Sequence, residues 1–161
     1  PEFIQIAEML FKYPNLQFKL VLNASEESIA EYFSKPIVKN LKIYPTQKDL
    51  SQFYLSADLV LNLSRVDEWI ETFGLTILEA MSYGIPVIAP PIGGPSELIT
   101  EGIDGYLISS RHVTKIADKI LKLSKNQSAY KKMSKNALNK ASYFSEDRFL
   151  QGINSVFYDL E

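Results

Sequence analysis

Glu71 and Glu79 stand eight residues apart around Thr72-Phe73-Gly74-Leu75, after the apolar run Leu59–Leu63 and ahead of a helical stretch that closes at Gly84. A strand, a loop and a helix in that order put loop 64–74 at the carboxyl end of the strand and turn the helix N-terminus toward the same crevice. The N–H groups of a first helical turn, together with the helix dipole, favour a bound phosphate. Gly74 has no Cβ, so the backbone at Gly74 and Leu75 can approach such a ligand closely. A carboxylate accepts two hydrogen bonds at once and suits a vicinal diol. A nucleotide-sugar carries a diphosphate with diols at both ends. The layout permits Glu71 on the sugar hydroxyls, the Gly74 and Leu75 amides on the diphosphate, and Glu79 on the ribose. Spacing alone carries no weight: with twelve Glu in 161 residues, about one pair eight apart arises by chance. Each carboxylate also has a plain structural reading, Glu71 as a helix N-terminal acid favoured by the dipole and Glu79 as a solvent-facing helix residue.

The elements that must position these groups alternate along the chain. Phe3, Ile6, Ala7, Leu10 and Phe11 recur at helical spacing, and Pro14-Asn15 ends that helix. Strand-like runs follow at Phe18–Leu22, Leu41–Tyr44, Leu59–Leu63, Ile85–Ala89 and Tyr106–Ile108, nearly continuous in apolar residues as strands covered on both faces should be. Helical stretches at roughly 25–35, 48–56, 75–83 and 95–101 separate them. From His112 onward only helices are expected. One is built on Ile116, Ile120 and Leu123, and a second on Tyr130, Met133, Ala137 and Ala141. The third, over 147–160, has an apolar stripe of Phe149, Leu150, Ile153, Val156, Phe157 and Leu160. The pattern predicts a doubly wound, Rossmann-like α/β domain with a parallel sheet, over 1–161 as one unit with a mainly helical part at 112–161. Such a sheet usually opens on a strand, and none precedes the first helix, so a first strand is expected ahead of Pro1.

Composition narrows the classes. Hydrophobic residues make up 46% and charged residues 22% of the 161, as in an ordinary globular domain. There is no cysteine and one histidine, His112, which excludes a disulfide framework and argues against zinc; His112 reads as a surface residue. No apolar run approaches the ~20 residues of a membrane span. The net charge of −2 hides ten Lys/Arg against three acids over 111–148. Such a block reads mainly as solvated helix faces, with a membrane surface as the other candidate; no nucleic-acid partner is expected. A cytoplasmic setting fits, including the cytosolic face of a membrane.

The stretch around the two glutamates resembles the signature of family-4 retaining glycosyltransferases, which have the two-domain GT-B fold. In that family two glutamates eight positions apart bracket Phe-Gly-Leu and precede Glu-Ala-Met, as Glu71, Phe73-Gly74-Leu75 and Glu79-Ala80-Met81 do here. The likeness continues through Gly84-Ile85-Pro86-Val87-Ile88-Ala89, Gly93-Gly94-Pro95-Ser96-Glu97 and Gly102-Ile103-Asp104-Gly105-Tyr106-Leu107, and includes Ala57-Asp58. The resemblance implies a C-terminal donor-binding domain that transfers sugar from a nucleotide-sugar, with retention, to an acceptor sugar or lipid-linked saccharide. It implies Glu71 as the catalytic group at the donor sugar and Glu79 on the ribose. Gly74 and Leu75 would give backbone contacts, Tyr44 and Pro45 would lie beside the base, and Gly93 and Gly94 would be further contacts. It implies no metal and no other cofactor. The acceptor-binding N-terminal domain lies outside this chain, so the chain alone is expected to bind donor without transferring it, and the terminal helix is expected to cross toward that domain. Two departures stand out. The family's phosphate-binding Arg and Lys lie around its first C-domain strand and have no counterparts here. The link Arg65-Val66-Asp67-Glu68-Trp69-Ile70 is longer than usual, which suggests a lid or a sugar-reading loop. Gly93-Gly94 also reads as a turn into a helix, Tyr44 as core, and Trp69 as a packed loop anchor. An epimerase or hydrolase of the same fold, or a non-catalytic nucleotide-binding module, are the alternatives in function.

Overall fold

Val87, Ile88 and Ala89 are fully buried and form β4 (Val87–Ala89), the middle of a parallel group ordered β3 (Val60–Leu61), β4, β5 (Gly105–Leu107). Successive residues of a strand face opposite sides. Ile88 accordingly joins Ile6, Ala7, Ile116 and Ile120 on one face, while Val87 and Ala89 join Ile77, Met81, Ala137 and Ala141 on the other. The first face is covered by α1 (Glu2–Met9) and α6 (Val113–Lys125), the second by α4 (Leu75–Ser82) and α7 (Gln127–Ala141). Helices on both faces of parallel strands make this the doubly wound α/β class.

The computed structural model describes residues 2–33, 38–68 and 70–158. Trp69 and Leu160 lie outside the described residues, as do the side chains of Phe149, Val156 and Phe157. A second parallel pair, β1 (Phe18–Val21) and β2 (Leu41–Tyr44), sets Phe18 against Leu41 and Val21 against Tyr44. Among the described residues the strands therefore form two hydrogen-bonded groups rather than one continuous sheet, and α1 relates them. Asn40, just before β2, donates from Nδ2 to the Ala7 carbonyl at 2.9 Å. Arg65, in the loop after β3, donates from Nη2 to Glu2 Oε1 at 2.8 Å. The helix thus begins at the carboxyl edge of β3 and runs toward the amino edge of β2, so both groups point the same way and share one carboxyl edge.

β3 is two residues long where the apolar run spans five, with Val60 set against Val87 and Leu61 against Ile88. The connecting helices α2 (Glu26–Tyr32), α3 (Ser51–Tyr54) and α5 (Gly94–Leu98) are shorter than the sequence pattern suggests. Ser25 caps α2, its Oγ accepting from the Ser28 amide at 3.2 Å, and Asn126 caps α7 by accepting from Ala129 at 3.0 Å. After α7 come a 3₁₀ turn, Ser142–Phe144, and α8 (Glu146–Tyr158). On the α8 stripe, Leu150 is 49% and Ile153 37% exposed, so at these positions the stripe is not buried against the sheet of its own chain.

Candidate functional site

The site is organised by the start of α4. Gly74, its N-cap, sits at φ 82°, a left-handed conformation that side-chain-bearing residues adopt only at a cost. Three residues earlier, Glu71 Oε1 accepts a hydrogen bond from the Gly74 amide at 3.0 Å. The carboxylate therefore closes the positive end of the α4 dipole, and the amide expected to meet phosphate is held by Glu71 itself. The next two donors behave differently. Among the described residues the N–H groups of Leu75 and Thr76 have no acceptor, while those of Ile77 and Leu78 bond to Gly74 O at 2.9 and 3.1 Å. Thr76 is a donor that sequence reasoning missed, although a cap at Gly74 puts it in the same open first turn as Leu75.

Glu79 lies four residues into α4, about 6 Å along its axis from Leu75. Its side chain is exposed but not unpartnered: Oε2 accepts from the Tyr54 hydroxyl at 2.9 Å. Tyr54 stacks on Tyr83 with ring centroids 5.3 Å apart. Its phenol is pushed well above the ordinary value by burial, then by the hydrogen bond and charge of Glu79, so it stays a donor across the working pH range. Tyr54 is a second residue the sequence reading did not single out, since a tyrosine in a four-residue helix carries no local signal of its partner.

Gly93 and Gly94 have a clear packing role. A Cβ on Gly93 would lie 2.3 Å from Glu71 O, and one on Gly94 would lie 2.5 Å from Phe73 O. The Gly94 amide donates to Glu71 O at 2.9 Å. The two glycines let the start of α5 dock against the main chain of Glu71–Phe73, so they fix the loop that carries Glu71. Asp104 and Gly105 are likewise accounted for by packing. Asp104 is buried and accepts from the Thr100 amide at 2.7 Å, and a Cβ on Gly105 would lie 2.4 Å from Val87 O. Tyr44 and Pro45 sit at the carboxyl end of β2, on the site's edge of the domain but in the other strand group. Tyr44 is half-buried and edge-on to Phe53 at 5.0 Å, and the Pro45 carbonyl accepts from Gln47 Nε2 at 3.0 Å. His112 is exposed at the start of α6.

The long link before Glu71 is braced at several points. Asn62 Oδ1 accepts from Ser64 Oγ at 2.7 Å, and Ser110 Oγ donates to Ser64 O at 3.2 Å. Arg65 bridges Glu2 and Glu68, and Arg111 pairs with Asp67. Burial pushes the Glu2 carboxyl up, but its own backbone amide and the Arg65 guanidinium outweigh that and hold it below the usual carboxylate value. The hydrogen bond from Arg111 lowers Asp67 in the same way. Ile70, Phe73, Leu75 and Ile92 are each between 45% and 62% exposed around this loop and the start of α4, an apolar rim at the carboxyl edge. Among the described residues no group of three His, Cys, Asp or Glu is placed to hold a metal ion. Among them, too, no helix is long and apolar enough to cross a membrane.

Comparison with known proteins identifies the family. Residues 15–140 match the family described as "Glycosyl transferases group 1". N-acetyl-alpha-D-glucosaminyl L-malate synthase of Bacillus anthracis is 30% identical over 131 residues, which cover 77% of this chain and 33% of that protein. This chain thus spans about a third of that relative's length. Among solved structures, a variant of S. aureus TarM in complex with Fondaparinux, alpha-GlcNAc-glycerol and UDP superposes with a TM-score of 0.79 at 26% identity, covering 97% of this chain and 32% of that one. HepE of Anabaena, in complex with UDP, superposes with a TM-score of 0.81 at 24% identity over 98% of this chain and 44% of that one, a likeness of fold. With the family match extending over most of its length and the doubly wound fold in agreement, the chain belongs to the group 1 glycosyl transferases, proteins of the GT-B fold.

Proposed function

We propose that residues 1–161 form the donor-binding half of a family-4 retaining glycosyltransferase, which moves a sugar from a nucleotide-sugar to an acceptor hydroxyl in polysaccharide or glycoconjugate synthesis. The observation that carries this reading is the start of α4: two unpaired amides, at Leu75 and Thr76, between the carboxylates of Glu71 and Glu79. Those amides and the helix dipole suit the diphosphate, where negative charge grows as the bond from the anomeric carbon to the leaving oxygen breaks. Glu79, oriented by Tyr54, accepts from the ribose hydroxyls. Glu71 exchanges the Gly74 amide for hydroxyls of the donor sugar, near the carbon that an acceptor hydroxyl attacks from the face the diphosphate leaves. Tyr44 and Pro45 stand beside the base, and the contribution of Gly93 and Gly94 is to hold the Glu71 loop at its place. No metal is needed in this scheme, and the acceptor is a sugar or a lipid-linked saccharide met at the cytosolic face of a membrane. The apolar rim of Ile70, Phe73, Leu75 and Ile92 and the exposed side of α8 are the surfaces that an N-terminal acceptor domain would cover.

Because TarM was solved with UDP, uridine nucleotides are the first donors to try. The test titrates UDP, GDP and ADP and their glucose and N-acetylglucosamine conjugates into the full-length protein, with and without EDTA, and follows transfer and hydrolysis. Expected are binding of one nucleotide series, indifference to EDTA, and retained configuration in the product. Transfer by the 161-residue chain alone, or binding abolished by EDTA, would overturn the scheme.

A further inference from the structure

α3 is four residues long, and its two aromatic side chains meet different parts of the domain. Consecutive helical residues point about 100° apart, so Phe53 and Tyr54 leave the same short helix in different directions. Phe53 meets Tyr44 at the carboxyl end of β2, edge-on with ring centroids 5.0 Å apart. Tyr54 lies across the face of α4 that Glu79 and Tyr83 share, since residues four apart on a helix are neighbours. Its ring stacks on Tyr83 at 5.3 Å, and its hydroxyl donates to Glu79 Oε2 at 2.9 Å. The helix is itself pinned at both ends. Asp49 Oδ1 accepts from the Ser51 amide at 2.8 Å. At the other end Ser56 Oγ donates to Gln52 O at 2.8 Å and accepts from Lys19 Nζ of β1 at 2.8 Å. α3 is therefore held to β1 on one side and to α4 on the other.

We propose that α3 decides which nucleoside the site accepts: Tyr54 positions Glu79 for the two hydroxyls of a ribose, and Phe53 positions Tyr44 for the base. A glutamate on an exposed helix face samples many rotamers, and ordering it on a ligand costs entropy. Tyr54 removes much of that cost in advance, because its own ring is fixed against Tyr83. With one lone pair of Oε2 engaged by the phenol, Oε1 and the rest of Oε2 stay open to a vicinal diol. Phe53 acts in the same way on the other half of the site, setting the plane of the Tyr44 ring. The inference rests on the proposed function, in which Glu79 takes the ribose and Tyr44 stands beside the base. It adds the source of the selectivity, two neighbouring positioning residues that act through other side chains. Sugar and base are then read by separate residues, so the two selectivities can be lost one at a time.

The test is calorimetric titration of the full-length protein with UDP, GDP and ADP, and with the 2′-deoxy form of whichever binds best. Tyr54→Phe keeps the ring on Tyr83 and removes only the hydroxyl. The preference for the ribonucleotide over its 2′-deoxy form should fall by about 2–10-fold, the worth of one hydrogen bond, while the preference among the three bases is unchanged. On a Glu79→Ala background the same substitution should change nothing further, as expected of a residue that acts through Glu79. Phe53→Leu should do the converse, narrowing the preference among bases by about 2–10-fold, the range of an aromatic pair, and sparing the ribose preference. Tyr83→Leu and Tyr44→Leu should copy Tyr54→Phe and Phe53→Leu respectively, and decide the matter if either first variant does not fold. Equal loss of the ribo and deoxy forms in Tyr54→Phe, or a loss that persists without Glu79, would overturn the role of α3 and leave the donor reading intact. Failure of the parent protein to bind any of the three diphosphates would overturn the donor reading and this inference with it.

Discussion

Gly94→Ala is the substitution whose outcome the structure constrains most tightly. Gly94 does not have a left-handed φ, so alanine meets no backbone penalty there. The obstacle is steric: the added Cβ would lie 2.5 Å from Phe73 O, 2.6 Å from Phe73 C and 2.7 Å from Thr72 O, all main-chain atoms. Reaching ordinary contact requires the 71–73 loop or the start of α5 to retreat by roughly 1 Å, and overpacking of that kind costs about 1–3 kcal/mol. For a domain of this size that is a fall in melting temperature of about 2–12 °C. The displaced loop carries Glu71 and leads to Gly74, so turnover of the full-length enzyme should fall on the order of 100-fold, the usual effect of a 1 Å misplacement at a reacting centre. Two other glycines serve as controls. Gly102 has φ +75° with open space around it, so Gly102→Ala should lose about 1–2 kcal/mol to backbone strain and keep its turnover. Gly152, inside α8 with nothing near, should gain about 0.5–1 kcal/mol on substitution by alanine. Thermal unfolding and steady-state kinetics on the three variants check the set. A Gly94→Ala enzyme with wild-type stability and turnover would refute the close-approach argument.

Glu79→Ala should weaken UDP and its sugar conjugates alike by about 1–3 kcal/mol, whereas Glu71→Ala should spare UDP and damage turnover; calorimetry and kinetics unchanged in both would remove the pair from the site. Tyr54→Phe leaves Glu79 without its 2.9 Å donor and should weaken UDP by about 2–10-fold, the equivalent of about 0.5–1.5 kcal/mol; tighter binding would mean the hydroxyl competes with ligand rather than orienting Glu79. The Glu2 carboxyl is depressed below its ordinary 4.5 in the folded state, so the stability it contributes is complete above pH 4.5 and lost as pH falls through the lower folded value. Urea midpoints of Glu2→Gln and the parent should therefore differ at pH 7 and converge toward pH 3, and a gap of constant size across that range would count against the Arg65 contact.

What the sequence disclosed follows from which interactions are local. The buried strand Val87–Ala89 and the helices of the C-terminal third declare themselves through runs and periods within a few residues, and β2 falls on Leu41–Tyr44 as expected. The cap at Gly74 and the loop glutamate beside it were legible for the same reason. Long-range partners were not. Nothing near Tyr54 announces Glu79, twenty-five residues on, and Gly93-Gly94 reads equally as ligand contact or as close packing until the main chain of Glu71–Phe73 is seen against it. The division of the strands into two groups was also hidden, because an apolar strand looks the same in sequence whether one or both of its edges are paired.

If the start of α4 binds the diphosphate as proposed, the hydrogen bond from the Gly74 amide to Glu71 makes that site self-guarding. A carboxylate parked at the mouth of an anion site repels inorganic phosphate, which brings no sugar hydroxyls to offset the repulsion. A ligand that brings sugar hydroxyls together with its diphosphate turns the same charge from obstacle to anchor, accepting hydrogen bonds as the Gly74 amide is released. On the proposed reading, discrimination between the abundant small anions of a cell and the activated sugar would then need no extra pocket. It would follow from one acidic side chain that trades a main-chain partner for sugar hydroxyls.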